Sequence, residues 1–109
     1  MLFRSVAVWT ALPPPPTAPT LYGTGNFFCT RCTTAWLFWK DPPNTPTSAT
    51  YTVNADQTSP TTRLRIGDWN ISIHTGLTPG STHTFTITTN TTTGTSPPST
   101  ITITLSNKR

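Results

Sequence analysis

Two stretches in the second half of the chain leave little choice of fold. In STHTFTITT (81–89), Phe85 and Ile87 alternate with Thr82, Thr84, Thr86 and Thr88. In STITITL (99–105), Ile101, Ile103 and Leu105 alternate with Thr100, Thr102 and Thr104. A period of two sends successive side chains to opposite faces of a strand, so each run has one apolar face and one threonine ladder. No window repeats apolar residues every three to four positions, as a helix requires. Threonine makes up about a quarter of the chain, and its β-branched side chain suits a pleated, half-exposed surface. These features predict an all-β chain.

Shorter runs follow the same rule. ATYTVNA alternates through Tyr51 and Val53, and NISIH through Ile71 and Ile73. TRLRIGDW sets Leu64 and Ile66 on one side against Arg63 and Arg65 on the other, while TTAWLFWKDPP offers Ala35, Leu37 and Trp39 to a core. Between the runs, DPPNTP, LTPGS and TTGTSPP carry the Pro and Gly that turns require. About seven strands within roughly ninety residues predict a sandwich. Upstream, residues 1–12 form a short apolar arm whose only charge is Arg4, and PPPP at 13–16 enforces a stiff polyproline spacer. The expected organisation is an arm and spacer over 1–18, one domain over 19–106 and a basic tail over 107–109. The start is a poor match to a signal peptide, because its apolar run is short, prolines follow and no small-x-small cleavage pattern is clear. The arm is therefore read as part of the working protein. No apolar run is long enough to span a bilayer, and no membrane partner is expected.

Seven basic and three acidic side chains give a net charge of +4, yet only 9% of residues are charged. Arg4, Arg31, Lys40, Arg63, Arg65, Lys108 and Arg109 are scattered rather than clustered against successive phosphates, so no nucleic-acid partner is expected. The one close pair, Arg63 and Arg65, reads as a solvated strand face. Asp41, Asp56 and Asp68 are the only side-chain carboxylates, each in a turn-like context far from the others. With no paired titratable groups, phosphate cradle or nucleophile motif, the expectation is a non-enzyme without a cofactor. NIS at Asn70 and NTT at Asn90 fit a glycosylation pattern that matters only in a eukaryotic secretory route.

The run GLTPGSTHTFTITTNTTTGTSPPSTITITL (76–105) resembles the end of a fibronectin type III domain. The likeness rests on the turn at Leu77, Pro79 and Gly80, the strand through Phe85 and Ile87, and GTSPPS before the last strand. Upstream, AWLFWKDPP resembles that family's second strand, with Trp39 as the core tryptophan, and YTV resembles the third. The resemblance covers about residues 19–106 and implies a fibronectin type III or immunoglobulin-like sandwich of seven strands. Two departures stand out. His83 occupies the place of the family's usual tyrosine, whose hydroxyl ties its strand to the preceding corner, and it reads as structural. The stretch between Ile71 and Leu77 is one residue longer than the family's pattern, which predicts a bulge.

With Trp39 as the core tryptophan, counting back puts a tight turn near Thr30–Arg31, so that Cys29 ends the first strand and Cys32 begins the second. Four residues closing such a turn bring the end Cα atoms to about 5.5 Å, compatible with a disulfide. A disulfide and two unremarkable thiols remain open. A redox pair needs a helix N-terminus to activate the thiolate, and a zinc site needs two further ligands, so neither is expected.

The same placement turns Trp36 and Phe38 outward. Large apolar neighbours on a sheet face call for a cover. Candidates are the arm, through Leu2, Phe3, Val6, Val8 and Trp9, another protein, or a sugar stacked on Trp36. A lone module with an apolar arm looks like small virion proteins of tailed bacteriophages. That likeness implies a capsid decoration or tail attachment at the virion surface, bound to protein subunits such as a major capsid or tail protein. The alternative is a secreted accessory or carbohydrate-binding module, with Trp36 or Trp69 meeting a glycan such as one on a host surface.

Overall fold

The computed structural model describes residues 15–27 and 29–108. Among them every regular element is a strand: β1 (Leu21–Thr24), β2 (Ala35–Lys40), β3 (Thr50–Ala55), β4 (Thr61–Ile66), β5 (Trp69–His74), β6 (Thr82–Thr91), β7 (Gly94–Thr95) and β8 (Ser99–Thr104). All pairs are antiparallel, and two sheets face each other. The first has the order β1-β2-β5-β4, and the second joins β3 to β6, with β7 and β8 along the far edge of β6. Eight strands stand where about seven were expected, because Gly94–Thr95, expected in a turn, pairs with β6 ahead of the last run. Asn90 faces Thr95 and Ile87 faces Ser99, with Pro97 and Pro98 between them. Proline has no N–H for a ladder. Ser96 ties the gap instead, donating its backbone N–H to the Thr89 carbonyl at 2.8 Å and accepting the Thr89 N–H on its hydroxyl at 2.9 Å.

The core follows the alternation. Ala35, Leu37 and Trp39 of β2 pack with Phe85 and Ile87 of β6 and with Ile103 and Leu105, and Cys32 and Leu77 join the cluster. Trp39 is fully buried and stands edge-on to Tyr51 at 5.5 Å. The Leu-x-Pro-Gly turn forms as expected: Gly80 takes a φ of 82°, which a side chain would strain, and the Ser81 N–H donates to the Thr78 carbonyl. His83 bridges Ser81 Oγ (2.8 Å) and Asp56 Oδ1 (3.1 Å), and Ser81 Oγ donates onward to the Thr78 carbonyl. The corner is thus tied through a hydroxyl relay rather than one phenol. The expected bulge is corrected: β5 pairs residue for residue with both β2 and β4, and beyond it Gly76 adopts a φ of 72°.

The β4–β5 hairpin leaves Arg63 and Arg65 exposed, as expected of a solvated face, and gives each a partner. Asn70, Ser72 and His74 are buried on the inner face, while Leu64 and Ile66 are exposed. Arg63 lies over the Trp39 ring at 5.2 Å, and Arg65 pairs with Asp41. A buried polar group is tolerated when partnered, and Asn70, Ser72 and His74 have partners, so β5 turns its polar set inward and its apolar set outward. Asn70 is thereby closed to glycosylation.

The tight turn at Thr30–Arg31 is also corrected. β1 ends at Thr24 and β2 begins at Ala35, and the loop between them pairs with the C-terminal segment rather than with itself. The Cys32 N–H donates to the Ser106 carbonyl (2.9 Å), the Lys108 N–H to the Thr30 carbonyl (2.8 Å), and Arg31 bridges Asn107. The expected tail therefore begins inside this pairing. Gly25 starts the loop against that strap: a Cβ there would sit 2.7 Å from the Thr104 carbonyl oxygen and 3.0 Å from Leu105 Cα. Backbone cannot swing aside as a side chain can. Gly25→Ala should lower stability by about 1–3 kcal/mol, read as a lower urea midpoint at unchanged slope.

Candidate interaction surface

Outward positions of the first sheet fall into register. Tyr22 faces Phe38, which faces Ile71, which faces Leu64; one row along, Trp36 faces Ile73, and on the other side Trp69 faces Ile66. Cross-strand neighbours lie close enough for large side chains to touch, so these residues form one apolar surface. Phe27 closes its upper end, edge-on to Trp36 at 5.2 Å, and Trp36 stacks along Phe38 at 6.5 Å. Tyr22 and Trp69 stand 6.4 Å apart at the lower end. Exposure is greatest on the two edge strands: Ile66 is 66% exposed, Tyr22 54% and Leu64 47%, against 41% each for Trp69 and Phe27. Phe38, Ile66, Trp69 and Ile71 line a shallow depression in this face. Its charges are confined to one rim, where Lys40 and Asp68 pair at 3.6 Å.

Of the residues expected to meet a partner, Trp36 and Phe38 are half-buried on this face. Leu2, Phe3, Val6, Val8 and Trp9 lie outside the described residues. Sequence reasoning missed Tyr22, Phe27, Leu64, Ile66, Ile71 and Ile73 as members. Their signal lay on the opposite face of the same strands, where polar residues had partners in reach. Cys29 and Cys32 are joined as a disulfide with Cα atoms 5.5 Å apart, in the loop beside Phe27.

The inner polar residues form two groups. Asp41 Oδ1 accepts the Tyr51 hydroxyl (2.6 Å), Asn70 Nδ2 (2.9 Å) and the Arg65 guanidinium (3.2 Å), while Arg65 also donates to Asp41 Oδ2 and to Asn70 Oδ1 (3.0 Å). The bond from Arg65 lowers the Asp41 pKa to about 2, against the opposing effect of burial. Burial and the Asp41 carboxylate push Tyr51 up. Both groups are driven away from neutrality, so neither is poised to exchange a proton there. In the second group His74 bonds Ser72 Oγ (2.9 Å) and Thr61 Oγ1 (3.1 Å) and packs on Phe85 at 4.7 Å. Burial, helped by Arg63, lowers its pKa and keeps the ring neutral near pH 7. Among the described residues no three of His, Cys, Asp and Glu come together as metal ligands.

No family model matches this chain, and comparison with curated proteins returns no match.

Proposed function

We propose that this chain is a non-enzymatic structural module that binds protein subunits of a larger assembly through the outer face of its first sheet and its N-terminal arm. The assembly is a bacteriophage particle, with the module as a capsid decoration or tail attachment at the virion surface. The sandwich is read as fibronectin type III or immunoglobulin-like, with β7 and β8 counted as one interrupted strand of seven. Its sheet orders, β1-β2-β5-β4 against β3, β6 and the split last strand, favour the four-plus-three arrangement of immunoglobulin constant-type domains.

One observation carries the reading. Leu64, Ile66, Ile71 and Ile73 face outward beside Tyr22, Trp36, Phe38 and Trp69, although turning that hairpin over would bury them. An apolar surface of this kind marks an interaction site. The polar groups point the same way, since they are spent on each other inside the fold. A glycan reading has one specific support, the exposed pair Tyr22 and Trp69 beside Lys40, Asp41 and Thr20. Their rings are tilted by 47°, which makes a poor flat platform for a sugar.

Mass spectrometry of purified particles should find the chain in stoichiometric amount. Deleting residues 1–14 should remove it from the particle while its far-UV circular dichroism stays that of the folded domain. A chain missing from particles, or one that still incorporates after the deletion, overturns the proposal. Glycan-array binding lost on Trp69→Ala would replace it with the sugar reading.

A further inference from the structure

We infer that the free edge of β4 receives residues 2–9 of a second copy of this chain as an added strand. The inference rests on the attachment reading and names its partner. Every residue of β4 is exposed, and among the described residues nothing pairs with its outer edge. Such an edge presents a row of open N–H and C=O groups and is a template for another strand.

The other edges are less suited. The flank of β1 is covered by the last strand: Gly25 packs on Thr104 and Leu105, the Ser106 N–H donates to the Gly25 carbonyl, and Ser99 Oγ donates to the Pro19 carbonyl. Along β3, Thr50, Thr52 and Asn54 are exposed and polar. Among the described residues, only β4 combines an open edge with large exposed apolar side chains, Leu64 and Ile66, where the apolar face stops.

Size selects a segment over a globular partner. Four strands of up to six residues make a face of about 20 by 20 Å, or about 400 Å². A standard interface takes about 800 Å² from each partner. Residues 2–9 in extended form span about 26 Å, enough to run the length of β4. Their sequence, LFRSVAVW, brings Leu2, Phe3, Val6, Val8 and Trp9 with Arg4 as the only charge. That matches a face whose charges are paired at one rim or turned inward.

The path of the chain selects a second copy over the chain's own arm. The Thr17 carbonyl accepts Thr89 Oγ1 at 2.9 Å, and Pro15 and Pro16 share a groove with Pro43, Pro46, Thr91 and Thr93. Upstream of β1 the backbone therefore heads toward the β6–β7 hairpin, at the β1 side of the molecule, while β4 lies at the opposite edge of its sheet. To reach its own β4, the arm would have to reverse beyond a stiff proline block and cross the whole face. A neighbour's arm needs no reversal. Reciprocal insertion closes a two-fold dimer, and one-way insertion builds a ring or filament.

Sedimentation velocity on the full chain should show association that grows with concentration. Leu64→Lys with Ile66→Lys, two exposed sites, should weaken it at least tenfold with an unchanged circular dichroism spectrum. A synthetic peptide of residues 1–12 should bind the chain lacking those residues and fail to bind the same chain carrying both lysines. A full chain that stays monomeric up to about 100 μM overturns the inference, as does a peptide indifferent to the lysines. A monomeric full chain whose truncated form binds the peptide places the arm on its own β4 and overturns it too. Incorporation into particles is measured separately: if it survives while self-association fails, the attachment reading stands and this one falls.

Discussion

Trp39→Ala should cost about 3–5 kcal/mol of folding stability, a large share of the roughly 5–15 kcal/mol that holds a domain together. The loss has three sources. The indole is fully buried among Leu37, Phe85 and Ile87, so its removal opens a cavity that neighbouring strands cannot close. The edge-on contact with Tyr51 disappears. Arg63 loses the ring it lies over while its guanidinium stays partly buried, where desolvation already lowers its pKa. Urea denaturation followed by circular dichroism should show a much lower midpoint or a chain unfolded in buffer. Trp39→Phe, which keeps an aromatic face under Arg63, should retain most of the difference. Equal losses for the two variants would mean that volume alone matters and the cation–ring contact adds nothing.

Asp41→Ala should remove about 1–3 kcal/mol, because the Tyr51 hydroxyl and Asn70 amide lose an acceptor. It should also change the acid limb of the stability curve. Asp41 has a folded pKa of about 2 against an ordinary 3.8, so the unfolded chain takes up the proton first. Its contribution is complete above about pH 3.8 and is lost as the pH falls toward 2. The wild-type midpoint should drop across that window, and the variant should drop less. Tyr51 has the opposite sign: its pKa is raised in the folded state, so its contribution is present below pH 10 and is lost as the pH rises beyond it. Midpoints measured from pH 2 to 5 for both proteins decide the acid case. Parallel curves would show that Asp41 is not the group being titrated.

The placement of Trp39 was legible in the sequence because three signals agreed there: the alternation Ala35–Leu37–Trp39, the Asp-Pro-Pro stop after Lys40, and the pairing strands that follow at the right spacing. β4 and β5 carried only one of these. A strand of period two has two candidate faces, and a row of Leu and Ile serves a core or a contact surface equally well. What set the facing of this hairpin was a set of partners distant in sequence, Asp41 for Arg65 and Asn70, and the Trp39 ring for Arg63. No local window contains them. The first loop failed for the same reason. Counting back from Trp39 assumes that a turn pairs with its own flanks, whereas residues 30–32 pair with residues 106–108. The two cysteines stood at the right separation in either arrangement, so their spacing could not expose the error.

Residue 15 lies beside the β6–β7 hairpin, and residue 108 lies at the far pole, where the disulfide loop clasps the end of the last strand. A load drawn between those two points would run lengthwise through the module, along β1 and β8 rather than across them. Antiparallel rungs stand perpendicular to their strands, so such a pull meets many of them together instead of unzipping them singly. A module hung between two points in this way would behave as a stiff link in a tether, resisting tension far better than its modest core suggests.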